Sequence, residues 1–291
     1  MRNAELLSSV PFQGQSAQDE SRLAAFACCR PYFCSQVNSP SLQVLGGFLL
    51  TCREGTITGV ETPRMQALLS YLALHQGVPQ SRTKLAALFW PDSTETQAHT
   101  NLRNLLYKLR SALPSSDQWL MSDRHFLLWR DCTYWRLDVL EFERAIARAK
   151  QAELESDDTA LRVALERAVA LYCGELLPGC YDEWVLLERE RLNQVFLSVL
   201  EHLLCLRGRD GDYPGALALA HRIVREDPFH EAGYRHMMRL YAASGNRAAA
   251  LRTYHACVRL MNNEFGVGPS VITRQVYEQL FEAEQFSASP R

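Results

Sequence analysis

The stretch TNLRNLLYKLRSAL, residues 100–113, carries the residue types that read nucleic acid, at helical spacing. Leu102, Leu105, Leu106, Leu109 and Leu113 fall on one face when each residue turns by about 100°. The opposite face is centred on Thr100, Asn104, Tyr107 and Ser111, with Gln97 and Asn101 nearby. Arg103 and Arg110 line one flank and Lys108 the other. No Asp or Glu occurs from Thr96 to Ser116. A merely solvated helix would mix both signs in i, i+4 pairs. Amide side chains pair with adenine edges, arginine with guanine or phosphate, and lysine with phosphate. Asn104, Arg103 and Tyr107 are therefore candidate base or sugar contacts, and Lys108 and Arg110 candidate phosphate contacts.

The surrounding residues read as a scaffold for that helix. SLQVLGGFLLTC and GTITGVE are short strand-like runs from Ser41 onward. TPRMQALLSYLALHQG is a helix capped by Thr62, opened by Pro63 and stopped by Gly77. SRTKLAALFWP is a second, with Ser81 as cap. Asp92 and Glu95 have capping-box spacing and start the third helix near Ser93, to run to Ala112 before Pro114. QWLMSDRHFLLWR reads as a hairpin, with strands 118–122 and 126–130 around Asp123, Arg124 and His125. Strands, three helices and a hairpin are the order of a winged helix-turn-helix, whose third helix enters the major groove. Arg124 sits where a wing reaches the phosphate backbone or minor groove.

From Leu137 onward the pattern is nearly all helical, in seven segments with a period near 3.6. Leu206 matches Leu240, Gly211 Gly245, Ala216 Ala250, Leu217 Leu251 and Val224 Val258, always at an offset of 34 residues. That is the tetratricopeptide period, in which small residues admit close helix packing. The expected fold is mainly α: a winged helix-turn-helix over 41–136, then an all-α tetratricopeptide-like domain over 137–291. Residues 1–40 read as an extension, partly disordered.

Composition excludes little. The 291 residues carry a net charge of −2, so bulk basicity argues for nothing. Residues 41–136 hold ten Lys/Arg against seven Asp/Glu, a local +3 that leaves −5 for the rest. Such asymmetry fits a nucleic-acid face joined to a protein-facing module. The nine cysteines form no CxxC pair and read as reduced small hydrophobes. Cys28, Cys29 and Cys34 are the nearest thing to a thiol cluster. No phosphate loop, dinucleotide motif, metal-ligand spacing or catalytic signature is present, so no cofactor, no metal and no enzyme activity is expected. No apolar run approaches the length of a membrane span, and the start lacks a signal-peptide core. The expected place is the cytoplasm.

LSYLALHQGVPQSRTKLAALFWPDSTETQAHTNLRNLLYKLRSAL resembles the winged-helix domain of the Streptomyces antibiotic regulatory proteins. ALYCGELLPG, the run from REDPFHEAGYRHMM to NEFGVGPS, and VYEQLF are similar to their bacterial transcriptional activator domain. The likeness covers roughly residues 41–284, in the family's order. It implies a transcriptional activator that binds repeated promoter elements as neighbouring copies and contacts RNA polymerase. Many relatives add a nucleotide-binding module; a chain stopping at Arg291 would be the short form. The alternative is a helical-repeat adaptor whose winged helix binds protein, since winged helices do both.

Overall fold

The computed structural model describes residues 40–52, 55–113, 116, 119–130 and 135–287. The extension expected over 1–40 lies outside them but for Pro40, and Pro114 also lies outside.

Among the described residues, two small sheets frame three helices. The first has the order β3-β2-β1-β7, from β1 (Ser41–Gln43), β2 (Leu49–Cys52), β3 (Gly55–Thr56) and β7 (Arg136–Leu137). Its pairs are antiparallel except β1 with β7, which run parallel. The second has the order β4-β6-β5, from β4 (Gln80–Ser81), β5 (Leu120–Ser122) and β6 (Phe126–Trp129). Between them lie α1 (Pro63–Leu74), α2 (Arg82–Phe89) and α3 (Glu95–Ala112).

The expected helix starts are observed at two of the three. The Thr62 side chain accepts from the Met65 amide and Ser81 from Lys84, each satisfying one of the free N–H groups at a helix start. At α3 the expectation is corrected. Thr94, not Asp92, is the cap: its hydroxyl accepts from the Gln97 amide, and the helix begins at Glu95. Thr94 has the extended backbone of a capping residue, while Asp92 is left exposed two residues upstream. Two strands, β4 and β7, have no counterpart in the sequence reading. Each is two residues long, too short to show an alternating pattern.

Seven helices follow: α4 (Asp138–Leu154), α5 (Asp158–Leu171), α6 (Glu183–Arg209), α7 (Tyr213–Glu226), α8 (Glu231–Ala243), α9 (Arg247–Phe265) and α10 (Val271–Ser287). The repeat register holds. Ala216 and Ala250 are both buried, and Gly211 and Gly245 both take the left-handed conformation open to glycine. Asp212 and Asn246, also one period apart, cap α7 and α9.

One continuous core runs from the strands through Leu68, Phe89, Leu109 and Trp129 to Phe142, Phe196 and Leu240. The position between residues 136 and 137 lies inside β7. Past it, buried Asp138 opens α4, and its Oδ2 accepts the Val44 and Leu45 amides, both at 2.8 Å. Leu45 bridges Leu176, and the Gly46 amide donates to the Glu175 carbonyl at 2.9 Å. A Cβ at Gly46 would stand 2.8 Å from the Cys173 carbonyl oxygen, so only glycine fits there. Arg64 of α1 donates to both carboxylate oxygens of Asp182, each at 2.9 Å. The all-reduced reading of the cysteines is also corrected: Cys173 is disulfide-bonded, whereas Cys52, Cys180, Cys205 and Cys257 are free thiols.

Candidate nucleic-acid interface

The leucine stripe puts α3 on the core. Leu102, Leu105, Leu106, Leu109 and Leu113 are all buried, with Ala98 beside them. Burying one face of a helix fixes what the other presents. Gln97, Arg103, Asn104, Tyr107, Lys108 and Ser111 are exposed, Tyr107 to 74%. Thr100, Asn101 and Arg110 are half-buried along the edges.

Side-chain bonding divides this face into two kinds of group. The Thr100 hydroxyl donates to the Thr96 carbonyl at 2.9 Å, and the Ser111 hydroxyl to the Tyr107 carbonyl at 3.0 Å. Both protons are used within the helix, leaving the oxygens as acceptors. Gln97 Nε2 donates to Asn101 Oδ1 at 2.9 Å, which holds the two amides together one turn apart. Arg103, Asn104, Tyr107 and Lys108 have no side-chain hydrogen bond or ion pair among the described residues. The nearest acid on the helix is Glu95 in its first turn, 3.9 Å from His99.

The hairpin adds a second exposed cation. Asp123 Oδ1 accepts from the His125 and Phe126 amides at 2.6 and 2.8 Å, closing the turn that bears exposed Arg124. Those amides hold the Asp123 carboxyl below its usual range. Trp119, Trp129 and Trp135 pack in mutual contact beneath the hairpin, with centroids 4.6–5.4 Å apart.

One cation at this surface escapes the sequence reading. Arg82, the first residue of α2, bonds Ser122 Oγ and the Asp123 carbonyl. Burial lowers its proton affinity, and the positive charges of Arg110 and Arg103 lower it further. Three guanidiniums thus gather where α2, α3 and the hairpin meet. The buried Nε of Arg110 has no hydrogen-bond partner. The sequence does hold a signal. A cation in the first turn of a helix opposes the macrodipole, so an arginine there has some other reason to be present.

No group of three or more His, Cys, Asp or Glu side chains among the described residues is placed to hold a metal. Among the same residues, no helix is long and apolar enough to cross a membrane.

Residues 137–281 match the family model described as "Bacterial transcriptional activator domain". The chain is 25% identical over 232 residues to the regulatory protein AfsR of Streptomyces coelicolor, an overlap of 80% of this chain and 23% of that one. It is 23% identical over 249 residues to the regulatory protein DnrI of Streptomyces peucetius, covering 82% and 91% respectively. The chain therefore spans about a quarter of the AfsR relatives and most of DnrI. Among solved structures, Mycobacterium tuberculosis EmbR in complex with a low-affinity phosphopeptide superposes with a TM-score of 0.71. At 16% identity, over 84% of this chain and 65% of that one, it supports the fold alone. A small strand-and-helix domain thus precedes a tetratricopeptide-like array that carries the match to the bacterial transcriptional activator domain, and in sequence the chain is similar to the Streptomyces regulatory proteins AfsR and DnrI.

Proposed function

We propose that this chain is a sequence-specific activator of transcription that lays α3 in the major groove of promoter DNA. In this reading residues 41–136 bind DNA and residues 137–291 serve activation. Asn104, Arg103 and Tyr107 face base edges or sugar. Gln97, Thr100, Asn101 and Ser111 supply polar groups around them. Lys108 and Arg110 neutralise phosphates on the two flanks, and Arg124 does so from the wing. RNA polymerase and a second copy on DNA are the partners that the family relationship suggests.

The observation that carries this is the exposed, acid-free face of α3, where amide, phenol and cationic groups stand without partners of their own. A polyanion with hydrogen-bonding edges matches it in charge and chemistry.

The test is a binding titration on the DNA upstream of the protein's own coding region, against unrelated competitor. The reading expects preference for one repeated element. Asn104→Ala should relax discrimination at one base position by ~1–3 kcal/mol. Equal affinity for all sequences, in the wild type as in the variant, would move the adaptor reading ahead.

A further inference from the structure

Three bonds reach the hairpin turn from a single residue of α2. Arg82 Nη1 donates to Ser122 Oγ and to the Asp123 carbonyl, both at 3.1 Å. The Arg82 amide donates to the His125 carbonyl at 2.9 Å. One residue earlier, Ser81 of β4 pairs in register with Phe126 of β6. Arg124, the exposed tip, lies between the two carbonyls that Arg82 holds.

Two features separate this arginine from an ordinary surface cation. Its side chain is half-buried and aimed at the turn, not at solvent. It also sits at the positive end of a helix and near Arg110 and Arg103, each of which opposes its charge more strongly than the Asp123 carboxylate favours it. A neutral donor would tie the turn at lower electrostatic cost. The cationic form makes sense where a polyanion completes the surface, and a guanidinium adds two acceptors held at once, a geometry that the point charge of lysine does not offer.

We propose that Arg82 is a positioning residue for the wing: it fixes the Asp123–His125 turn against the start of α2, and so presents Arg124 alongside the cationic flank of α3. This rests on the DNA-reading role proposed above, and Arg82 acts through Arg124.

Two measurements on the full chain test it, and they fail separately. The first is amide hydrogen exchange without DNA. Arg82→Ala should raise exchange at His125 and Phe126 by about tenfold, since two charge-assisted bonds to the turn are lost. Arg82→Lys, able to reach one acceptor, should fall between. If Arg82→Ala does not fold, Arg82→Met, which keeps an aliphatic stem and carries no N–H donor, replaces it. Unchanged exchange at both amides overturns the proposal, whatever the DNA result. The second is a double-mutant cycle in titrations on promoter DNA. Arg82→Ala should weaken binding severalfold in the wild type and have no effect in an Arg124→Ala background. Equal losses in both backgrounds would mean that Arg82 touches DNA itself, which also overturns a positioning role. If the wild-type chain shows no DNA preference, the reading of α3 falls, and exchange alone decides whether Arg82 holds the turn.

Discussion

The helical array and the outer face of α3 treat the same residue types in opposite ways. In the array, several arginines are supplied with anions by the chain itself. Arg191 pairs with Glu188 and Glu143, Arg207 with Glu166 and Asp212, and Arg162 with Asp210. Arg189 is spent on the carbonyls of Leu176, Leu177 and Cys180. On α3, Arg103 and Lys108 point outward with no acid on their helix beyond Glu95. An arginine's role is thus set by what faces it. Cations that the fold answers hold the fold together, and on α3 the unanswered cations share a stretch, Thr96 to Ser116, that holds no acid.

The largest effect expected on the inward side of this comparison is at Asp138. Its Oδ2 accepts two amides from the strand side, and its Oδ1 accepts the Val139 amide at 2.8 Å. Asp138→Ala leaves those buried donors without an acceptor, at roughly 1–3 kcal/mol each. Burial pushes the Asp138 carboxyl up to about 7, against the opposing pull of the Leu45, Val44 and Val139 amides. An unfolded aspartate titrates near ~3.9. The native state therefore binds the extra proton between those values, and stability falls as pH rises through that window. Thermal melts from pH 4 to 8 should show a decline that flattens in Asp138→Asn. An equal slope in both proteins would remove Asp138 as its source.

Next comes the repeat packing. Ala250 is 1% exposed, and Ala250→Leu should overpack the contact by ~1–3 kcal/mol. An unchanged melting temperature would mean that the site yields without strain. Smaller still is the Arg64–Asp182 pair across the two halves, where Arg64 also lies 6.0 Å from the Phe89 ring centroid. Its side chains are partly solvated, so a double-mutant cycle on stability should return roughly 0.2–1 kcal/mol. Neither substitution should alter DNA affinity by more than its stability cost explains. A larger loss would show that the array and α3 are not separate in the way the charges suggest.

What could be read in the sequence follows the same division. The faces of α3, the caps Thr62 and Ser81, the hairpin turn and the offset of 34 were all legible, because each is a local pattern in residue type and spacing. The start of α3 was misplaced because Asp92 and Thr94 both have capping chemistry, and only the backbone conformation at Thr94 decides between them. Asp138 was not recognised, since its partners Val44 and Leu45 lie 94 and 93 residues away. Arg82 carries no periodic signature for a related reason: its bonds cross 40 and 41 residues to the hairpin. Long-range polar contacts leave no periodic trace, although a cation at a helix start is a hint.

The smallest effect expected on the fold belongs to the outward side. Lys108 is exposed and without an ion pair among the described residues, so Lys108→Ala should change stability by less than about 0.5 kcal/mol. Arg191→Ala, by contrast, removes contacts to Glu188 and Glu143 and should cost about 0.2–1 kcal/mol. On DNA the order should reverse. If Lys108 neutralises one phosphate, losing it releases one fewer counterion, and the slope of log affinity against log salt should become shallower by about 0.9. Arg191→Ala should leave that slope alone, because its charge is already answered within the fold. Titrations at four or more salt concentrations, on the native element and on an unrelated duplex, would separate the two. Lys108→Ala should weaken both duplexes equally, since phosphate carries no sequence information. If Arg191→Ala shifts the slope and Lys108→Ala does not, the polyanion lies along the helical array, and unanswered charge on α3 is not what selects it.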